Sequence, residues 1–187
     1  MRIILASILW TIGVGLALAQ GPGGQPRAPG GLRAEIVGAG EFAANPIRRT
    51  EEAAGTATGL LNVRAANPPL LRSTTEVAAF DGLMFGMLVR APGLPPGKAV
   101  PVTVRTDYPG LRRPDGRLVH QGSYESTIGA EPTFVGYCFD RAWELVPGTW
   151  GFSILHEGRV IASQRFTITV GAEPDGREHC NPAPSVS

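Results

Sequence analysis

The sequence has few residues of the kinds that carry catalytic or metal chemistry. It contains three histidines and two cysteines, which are not clustered at metal-ligand spacing, and no Gly-x-Ser-x-Gly motif of a serine hydrolase. No glycine-rich loop opens a predicted helix to bind phosphate. His120, His156 and His179 fall in a polar strand, a hairpin end and the tail, where a solvated surface position is typical. We therefore expect no catalytic residues, metal or other cofactor.

An excess of charge of one sign is also absent. Once the N-terminal segment that contains Arg2 is set aside, basic and acidic residues balance at 16 each. This balance argues against a basic face for nucleic acid and against electrostatic docking on anionic membrane. We expect no nucleic-acid partner.

Long apolar runs are confined to the N-terminus. Arg2 precedes an uncharged apolar run over residues 3–16, and Ala17-Leu18-Ala19 is the small-x-small pattern of a cleavage site. The run is shorter than the roughly 20 residues of a membrane span, so an anchor is the weaker alternative. We predict a signal peptide over residues 1–19, cleavage before Gln20, and a periplasmic or secreted protein that leaves the membrane after signal removal.

The two cysteines, Cys138 and Cys180, both lie in the part expected to be exported. An even pair in an oxidising compartment is typically bridged, so we predict a disulfide. A metal pair or a catalytic thiol are the alternatives, although only His179 adjoins a cysteine. On a strand over residues 133–139, Cys138 would face away from the apolar side. The tail is then expected to cross the outer face of the sheet to reach it.

Composition divides the mature chain into three parts. Residues 20–31 are rich in glycine and proline and are predicted to be a flexible leader, and residues 171–187 a flexible tail that Cys180 would pin. Over residues 32–170, short apolar segments alternate with turn signals every ~8–12 residues. This spacing predicts an all-β fold, an immunoglobulin-like antiparallel β-sandwich of about seven to eight strands. Residues 43–71 are ambiguous and are interpreted as an irregular excursion with a short helix or strand.

Alternating apolar residues indicate which strand faces are buried. Leu83, Phe85, Met87 and Val89 share one face of a predicted strand. Turns are expected at Asp81-Gly82, Tyr108-Pro109-Gly110, Pro114-Asp115-Gly116 and Glu157-Gly158.

The segment from Trp143 to Trp150, Trp-Glu-Leu-Val-Pro-Gly-Thr-Trp, predicts a corner that leads into a strand. Pro147-Gly148 suits the central positions of a type II turn, because proline fixes φ and glycine accepts positive φ. Trp150 is expected to enter the core. Asp140 and Glu144 are expected to hydrogen-bond the backbone of the corner, with a functional carboxylate as the alternative.

One predicted surface patch has residue types that bind ligands. Arg112 and Arg113 follow Tyr108 closely, and an arginine pair beside an aromatic ring can grip a carboxylate or a sugar. Trp143 is a second candidate, by stacking on a ligand. A solvated loop and a structural corner are the respective alternatives. The candidate binding residues are therefore Tyr108, Arg112, Arg113 and Trp143.

Two stretches of the sequence resemble a family of bacterial exported proteins of unknown function, and other segments resemble it less specifically. The two stretches are Gly136-Tyr137-x-Phe139-Asp140 and the segment 143–150 described above. The resemblance covers roughly residues 32–170. It implies a sandwich fold and an exported location, and it brings no reaction or catalytic residues.

These observations favour an exported, non-catalytic binding or scaffolding module of the bacterial cell envelope, with a protein or a glycan as its partner. An envelope hydrolase whose site is assembled only in three dimensions is one alternative, and a periplasmic metal chaperone is another. Convergent histidine and carboxylate side chains would favour the enzyme, and convergent histidine and methionine the chaperone. An open strand edge or a flat aromatic surface would favour the binding module.

Overall fold

A computed structural model of the chain describes residues 31–176 and 179–180. The predicted signal peptide and nearly all of the predicted leader lie outside the described residues, as does the end of the tail. Within these described ranges, no helix has the length and apolarity needed to cross a bilayer.

The described chain is built almost entirely of strands. They are β1 (Glu35–Phe42), β2 (Ile47–Glu52), β3 (Leu60–Arg64), β4 (Leu70–Ser73), β5 (Glu76–Ala79), β6 (Met84–Arg90), β7 (Ala99–Arg112), β8 (Leu118–Gly129), β9 (Thr133–Cys138), β10 (Gly148–His156) and β11 (Arg159–Val170). A single turn of 3₁₀ helix, Ala142–Glu144, precedes β10. Eleven strands exceed the seven to eight expected, because residues 43–71 form a hairpin and begin β4 rather than an irregular excursion.

The strands form two main sheets and one hairpin. One sheet has the order β4-β1-β6-β9 and the other the order β5-β11-β10-β7-β8, while β2 pairs with β3. The described pairings are antiparallel except that of β5 with β11, which is parallel. The all-β, largely antiparallel sandwich predicted from the sequence is confirmed.

The core lies between the two main sheets and is rich in aromatic rings. Phe85 stacks on Phe139 with ring centroids 5.1 Å apart, and it meets Trp150 edge-on at 5.7 Å. Trp150 is 0% exposed, and its Nε1 donates a hydrogen bond to the carbonyl of Val146 at 3.1 Å. The prediction that Trp150 is a core residue is confirmed.

Cys138 and Cys180 form a disulfide with their Cα atoms 6.0 Å apart, as predicted. Cys180 is buried with Phe42 and Met84 in a second apolar cluster, which is separate from the core between the sheets. Met84 belongs to the opposite face of β6 from Phe85, so this cluster covers the outer face of the sheet. The tail therefore crosses that face to reach Cys138.

The turn expected at Tyr108-Pro109-Gly110 is wrong. These residues belong to β7, where Asp107 pairs with Gln121 and Leu111 pairs with Val119. Since β7 has two more residues than β8 in this interval, the segment is a bulge, and proline favours it because it has no N–H for the ladder.

The type II turn expected at Pro147-Gly148 is also wrong. The chain turns earlier, in the 3₁₀ helix, after which the N–H of Val146 bonds the carbonyl of Glu144 at 2.7 Å. Gly148 already begins β10, with φ of 133°. A Cβ atom there would lie 2.7 Å from Cβ of Pro109, so the close approach of the β7 bulge also requires glycine.

Candidate binding site

One segment outside the main sheets bridges the edges of both. Residues 47–67, called the strap below, contain the hairpin β2–β3, and β8 and β9 are the last strands of their sheets on this side. At one end, the carbonyl of Gly55 accepts a hydrogen bond from the N–H of Ser123 on β8 at 2.8 Å. At the other end, the side chain of Asn67 bonds the edge of β9. The strap thus spans the gap between two sheet edges.

A cavity of about 500 Å³ lies between the strap and the strand edges. The strap supplies one wall, and β7, β8 and β9 supply the others. Its lining mixes hydroxyl and amide groups with aromatic rings, including Asn62, Tyr108, Tyr124, Ser126 and Tyr137. Such a lining can hold a ligand by hydrogen bonds together with apolar contact.

The edge of β9 opens into this cavity. The N–H and carbonyl of Phe139, just beyond β9, bond Leu83 and Gly82, so the odd-numbered residues of β9 face β6. The backbone groups of alternate residues point to opposite sides of a strand. The even-numbered residues therefore direct theirs away from β6, as the bond between Phe134 N–H and Asn67 Oδ1 shows. In the described part of the chain, β9 pairs with no strand other than β6.

Asn67 occupies the first groups of this edge. Its Nδ2 donates to the carbonyl of Pro132 at 2.7 Å, and its Oδ1 accepts from the N–H of Phe134 at 2.9 Å. Beyond this point, Phe134, Gly136 and Cys138 all line the cavity. The backbone groups of Gly136 and Cys138 that point away from β6 therefore lie on the cavity side of β9, and among the described residues no backbone group bonds them.

A buried carboxyl group lies behind the cavity wall. Glu144 is 0% exposed, and its Oε2 accepts a hydrogen bond from the N–H of Asp140 at 3.1 Å. Its carboxyl group also interacts with the Tyr137 hydroxyl, although among the described residues neither Oε1 nor that hydroxyl completes a hydrogen bond of normal geometry. Burial, and then the nearby Asp140 carboxylate, raise the pKa of Glu144 to about 8. Glu144 is thus largely a neutral acid at pH 7.

Tyr108 joins the core to the strap. Burial raises the pKa of its hydroxyl to about 12, while hydrogen bonds to the Ala57 backbone and the Thr106 side chain partly oppose this effect. Ala57 is itself buried in the core cluster. The strap is therefore held by two contacts, one between Ala57 and Tyr108 and one between Gly55 and Ser123 of β8.

The arginine in the cavity wall directs its hydrogen bonds to the protein. Arg64 donates from Nη1 to the backbone carbonyl and the side-chain oxygen of Asn45, and from Nη2 to the carbonyl of Cys180 at 2.9 Å. Burial lowers the pKa of Arg64, and the nearby Asp140 carboxylate opposes that change. With these donors engaged, the guanidinium acts as a structural tie more than as an anchor for an anionic ligand.

The structure separates the four binding residues expected from the sequence. Tyr108 is 7% exposed and lines the cavity. Arg112 ends β7 and donates to the carbonyl of Gly116 at 3.2 Å, and Nε of Arg113 lies 3.4 Å from a carboxylate oxygen of Asp115. Trp143 is half-buried against the core. The four side chains do not form one exposed surface.

Other expected groups lie elsewhere. None of the three histidines lines the cavity: His156 approaches the carbonyl of Pro101, and His179 approaches Glu173. Over residues 31–176 and 179–180, no three His, Cys, Asp or Glu side chains are grouped to hold a metal. The expectation that Glu144 bonds the corner backbone is confirmed. The raised pKa of Glu144 could not be predicted from the sequence, because it depends on burial in the folded protein.

Comparisons with known proteins bear on family and fold. Residues 48–168 match the family described as a domain of unknown function, DUF3859. An immunoglobulin-like protein from Pseudomonas aeruginosa, solved by crystallography at 1.50 Å resolution, has a similar structure with a TM-score of 0.52. The two sequences are 22% identical, and the match covers 76% of this chain and 100% of the other. At this identity the likeness shows the immunoglobulin-like fold. No curated protein matches the chain.

Proposed function

Since the chain belongs to the DUF3859 family of domains of unknown function and has an immunoglobulin-like fold, we propose that it is an exported, non-catalytic binding module. Its ligand occupies the cavity beneath the strap, and its partner is a component of the cell envelope. The observation that carries this proposal is an open strand edge facing a cavity of about 500 Å³.

The chemistry of the lining supports binding. Hydroxyl and amide side chains such as Asn62 and Ser126 offer hydrogen bonds, and Tyr124 and Tyr137 offer ring surface. Burial raises the pKa of both tyrosine hydroxyls, so these groups stay neutral over the physiological range. The charges of Arg64 and Asp140 partly offset one another. A largely neutral, mixed lining suits a ligand held without covalent chemistry.

One observation favours the alternative of an envelope hydrolase. Asp140 and Glu144 are neighbouring carboxyl groups, and the pKa of Glu144 is raised, as in many acid–base pairs. However, Glu144 is fully buried and bonds the backbone of Asp140, and only Asp140 lines the cavity. A general acid must lie within hydrogen-bond distance of the substrate atom that it protonates. Glu144 does not line the cavity, so it does not meet this requirement.

Export is supported by three independent features. The N-terminal sequence has the pattern of a signal peptide, and the disulfide between Cys138 and Cys180 is typical of oxidising compartments. The resemblance to exported bacterial proteins points the same way. A periplasmic or secreted location follows from these features as part of the proposal.

The proposal is tested by filling the cavity. Ser126 lines the cavity, whereas its neighbour Thr127 is exposed, on the opposite face of β8. The parent, Ser126→Trp and Thr127→Trp proteins are immobilised, exposed to envelope extract, and their ligands identified by mass spectrometry. The parent and Thr127→Trp should retain the same ligand, and Ser126→Trp should lose it while keeping a cooperative melting curve. Retention by all three proteins would place the binding site elsewhere.

A further inference from the structure

The edge of β9 has a feature that identifies the class of ligand. The side-chain amide of Asn67 donates to Pro132 and accepts from Phe134, the two bonds that a residue of a parallel neighbouring strand would make. An amide is the same chemical group as a peptide unit. Asn67 therefore acts as the first residue of an additional strand that the described chain does not continue.

Resting on the function proposed above, we infer that the ligand is an extended polypeptide segment, which adds to the sheet as a strand beside β9. It starts next to Asn67 and runs along Gly136 and Cys138 through the cavity. Strand addition of this kind is a general mode of peptide recognition, in which backbone hydrogen bonds supply affinity. The four-stranded sheet becomes five-stranded in the complex.

The free groups of the edge have the spacing that a backbone requires. From Phe134 to Cys138, an N–H and carbonyl recur at every second residue on the cavity side, at intervals of roughly 6.8 Å. Of these groups, the N–H of Phe134 is already bonded to Asn67, and those of Gly136 and Cys138 follow it. A polypeptide in extended conformation repeats its own groups with the same period. A saccharide has no such fixed alternation of donors and acceptors, so the edge favours a peptide.

Side chains around the edge fit the same ligand. At Gly136 a Cβ atom would lie 2.3 Å from the ring of Phe134, so glycine is required here by that ring. Leu61 and Val63 of the strap and Phe134 of β9 line the cavity with apolar surface. Since Arg64 already bonds Asn45 and Cys180, an apolar or mixed peptide is favoured over an acidic one.

The experiment starts from a library of random heptapeptides displayed on phage and selected on the immobilised full-length mature protein. Enriched peptides are then synthesised, and amide hydrogen exchange is followed by NMR in the free protein and the complex. Exchange at Gly136 and Cys138 should slow by about tenfold or more, the effect of a new backbone hydrogen bond. Exchange at Val135 and Tyr137, which face β6, should be unchanged.

Three variants and a modified peptide test whether the result is specific. Ser126→Trp should abolish peptide binding, and Thr127→Trp should not. In Asn67→Ala, the N–H of Phe134 is released, so peptide binding should persist and protect this amide as well. N-methylation of alternate peptide nitrogens should reduce binding with a period of two.

Contrary results separate this inference from the proposed function. An enriched peptide that leaves exchange at Gly136 and Cys138 unchanged would overturn strand addition. Failure to enrich any peptide would do the same. If the parent and Thr127→Trp then retain an envelope saccharide that Ser126→Trp loses, the cavity remains the binding site and only the ligand class is wrong.

Discussion

Arg64 of the strap is hydrogen-bonded to the carbonyl of Cys180, with Nη2 and the oxygen 2.9 Å apart. Cys180 is in turn joined to β9 by its disulfide with Cys138. The wall of the cavity is therefore connected to the tail, and through the tail to the strand edge that the wall faces. Loss of the disulfide should therefore reduce the local stability of the strap.

Replacing both cysteines by serine tests this connection. The disulfide closes a loop of 42 residues, and its loss should reduce the free energy of unfolding by about 4 kcal/mol or less. Amide exchange in β3 should accelerate under native conditions, because Arg64 loses a fixed partner. The matched variant Arg64→Gln should accelerate the same amides while the disulfide stays intact. Unchanged exchange in β3 in both proteins would show that the strap is held by other contacts.

Stability should depend on pH through Glu144. The pKa of its carboxyl group is about 8 in the folded protein and 4.5 ordinarily, so folding retains a proton that the unfolded chain releases. The resulting stabilisation is complete below about pH 4.5 and is lost as the pH rises to about 8, by at most about 1.4 kcal/mol per pH unit.

Glu144→Gln should remove this dependence while preserving an acceptor for the N–H of Asp140. The free energies of unfolding of the parent and the variant are measured by urea denaturation between pH 5 and 9, and their difference is followed across this range. The variant should gain stability relative to the parent as the pH rises. A constant difference across this range would mean that Glu144 ionises normally.

Trp150→Ala should cost about 3–5 kcal/mol of unfolding free energy, because a fully buried ring is removed from the centre of the aromatic core. Trp150→Phe keeps part of the ring but loses the hydrogen bond to Val146, so it should fall between the alanine variant and the parent. Chemical denaturation measures both. A nearly normal midpoint for Trp150→Ala would contradict the core assignment.

Arg112→Ala combined with Arg113→Ala should leave both folding and binding nearly intact. Their contacts are local: exposed Arg112 bonds the carbonyl of Gly116, and half-buried Arg113 pairs with Asp115. Ion pairs near the surface contribute about 1 kcal/mol or less. Titration of the ligand retained by the parent would give similar affinities for both proteins. A clear loss of affinity in the double variant would show that these arginines belong to the binding site.

Processing is predicted between Ala19 and Gln20. Intact mass and N-terminal sequencing of protein isolated from the native envelope should show Gln20 as the first residue. A chain that retains Met1 in the membrane fraction would instead indicate an uncleaved anchor.

Much of the fold was predictable because it follows from local periodicity. The alternation of Phe85, Met87 and Val89 identifies a buried face, and all three are in the core. The outward position of Cys138 and its disulfide follow from the same rule of alternation. Turns at Asp81-Gly82 and Glu157-Gly158 are also present, with positive φ at Gly82 and at both residues of the second turn.

The binding site was far less predictable, because it depends on contacts between distant segments. Asn67 reaches Phe134 across 67 positions, and Arg64 reaches Cys180 across 116. β2 is polar apart from Ile47, and Gly55 and Gly59 lie between β2 and β3, so the hairpin lacks the alternation that marks a strand. The sequence predicts Tyr108 in a surface turn, but it is buried, since a bulge inside a strand resembles a turn in sequence.

The parallel pairing of β5 with β11 has a consequence for the order of folding. Glu76 pairs with Thr167, 91 positions later, and β11 lies between β5 and β10 in its sheet. A chain delivered N-terminus first cannot attach β5 until its final strand has emerged. Pairings of such long range make folding slow, so the β5 edge of this sheet stays incomplete, and accessible to proteases, until β11 is in place.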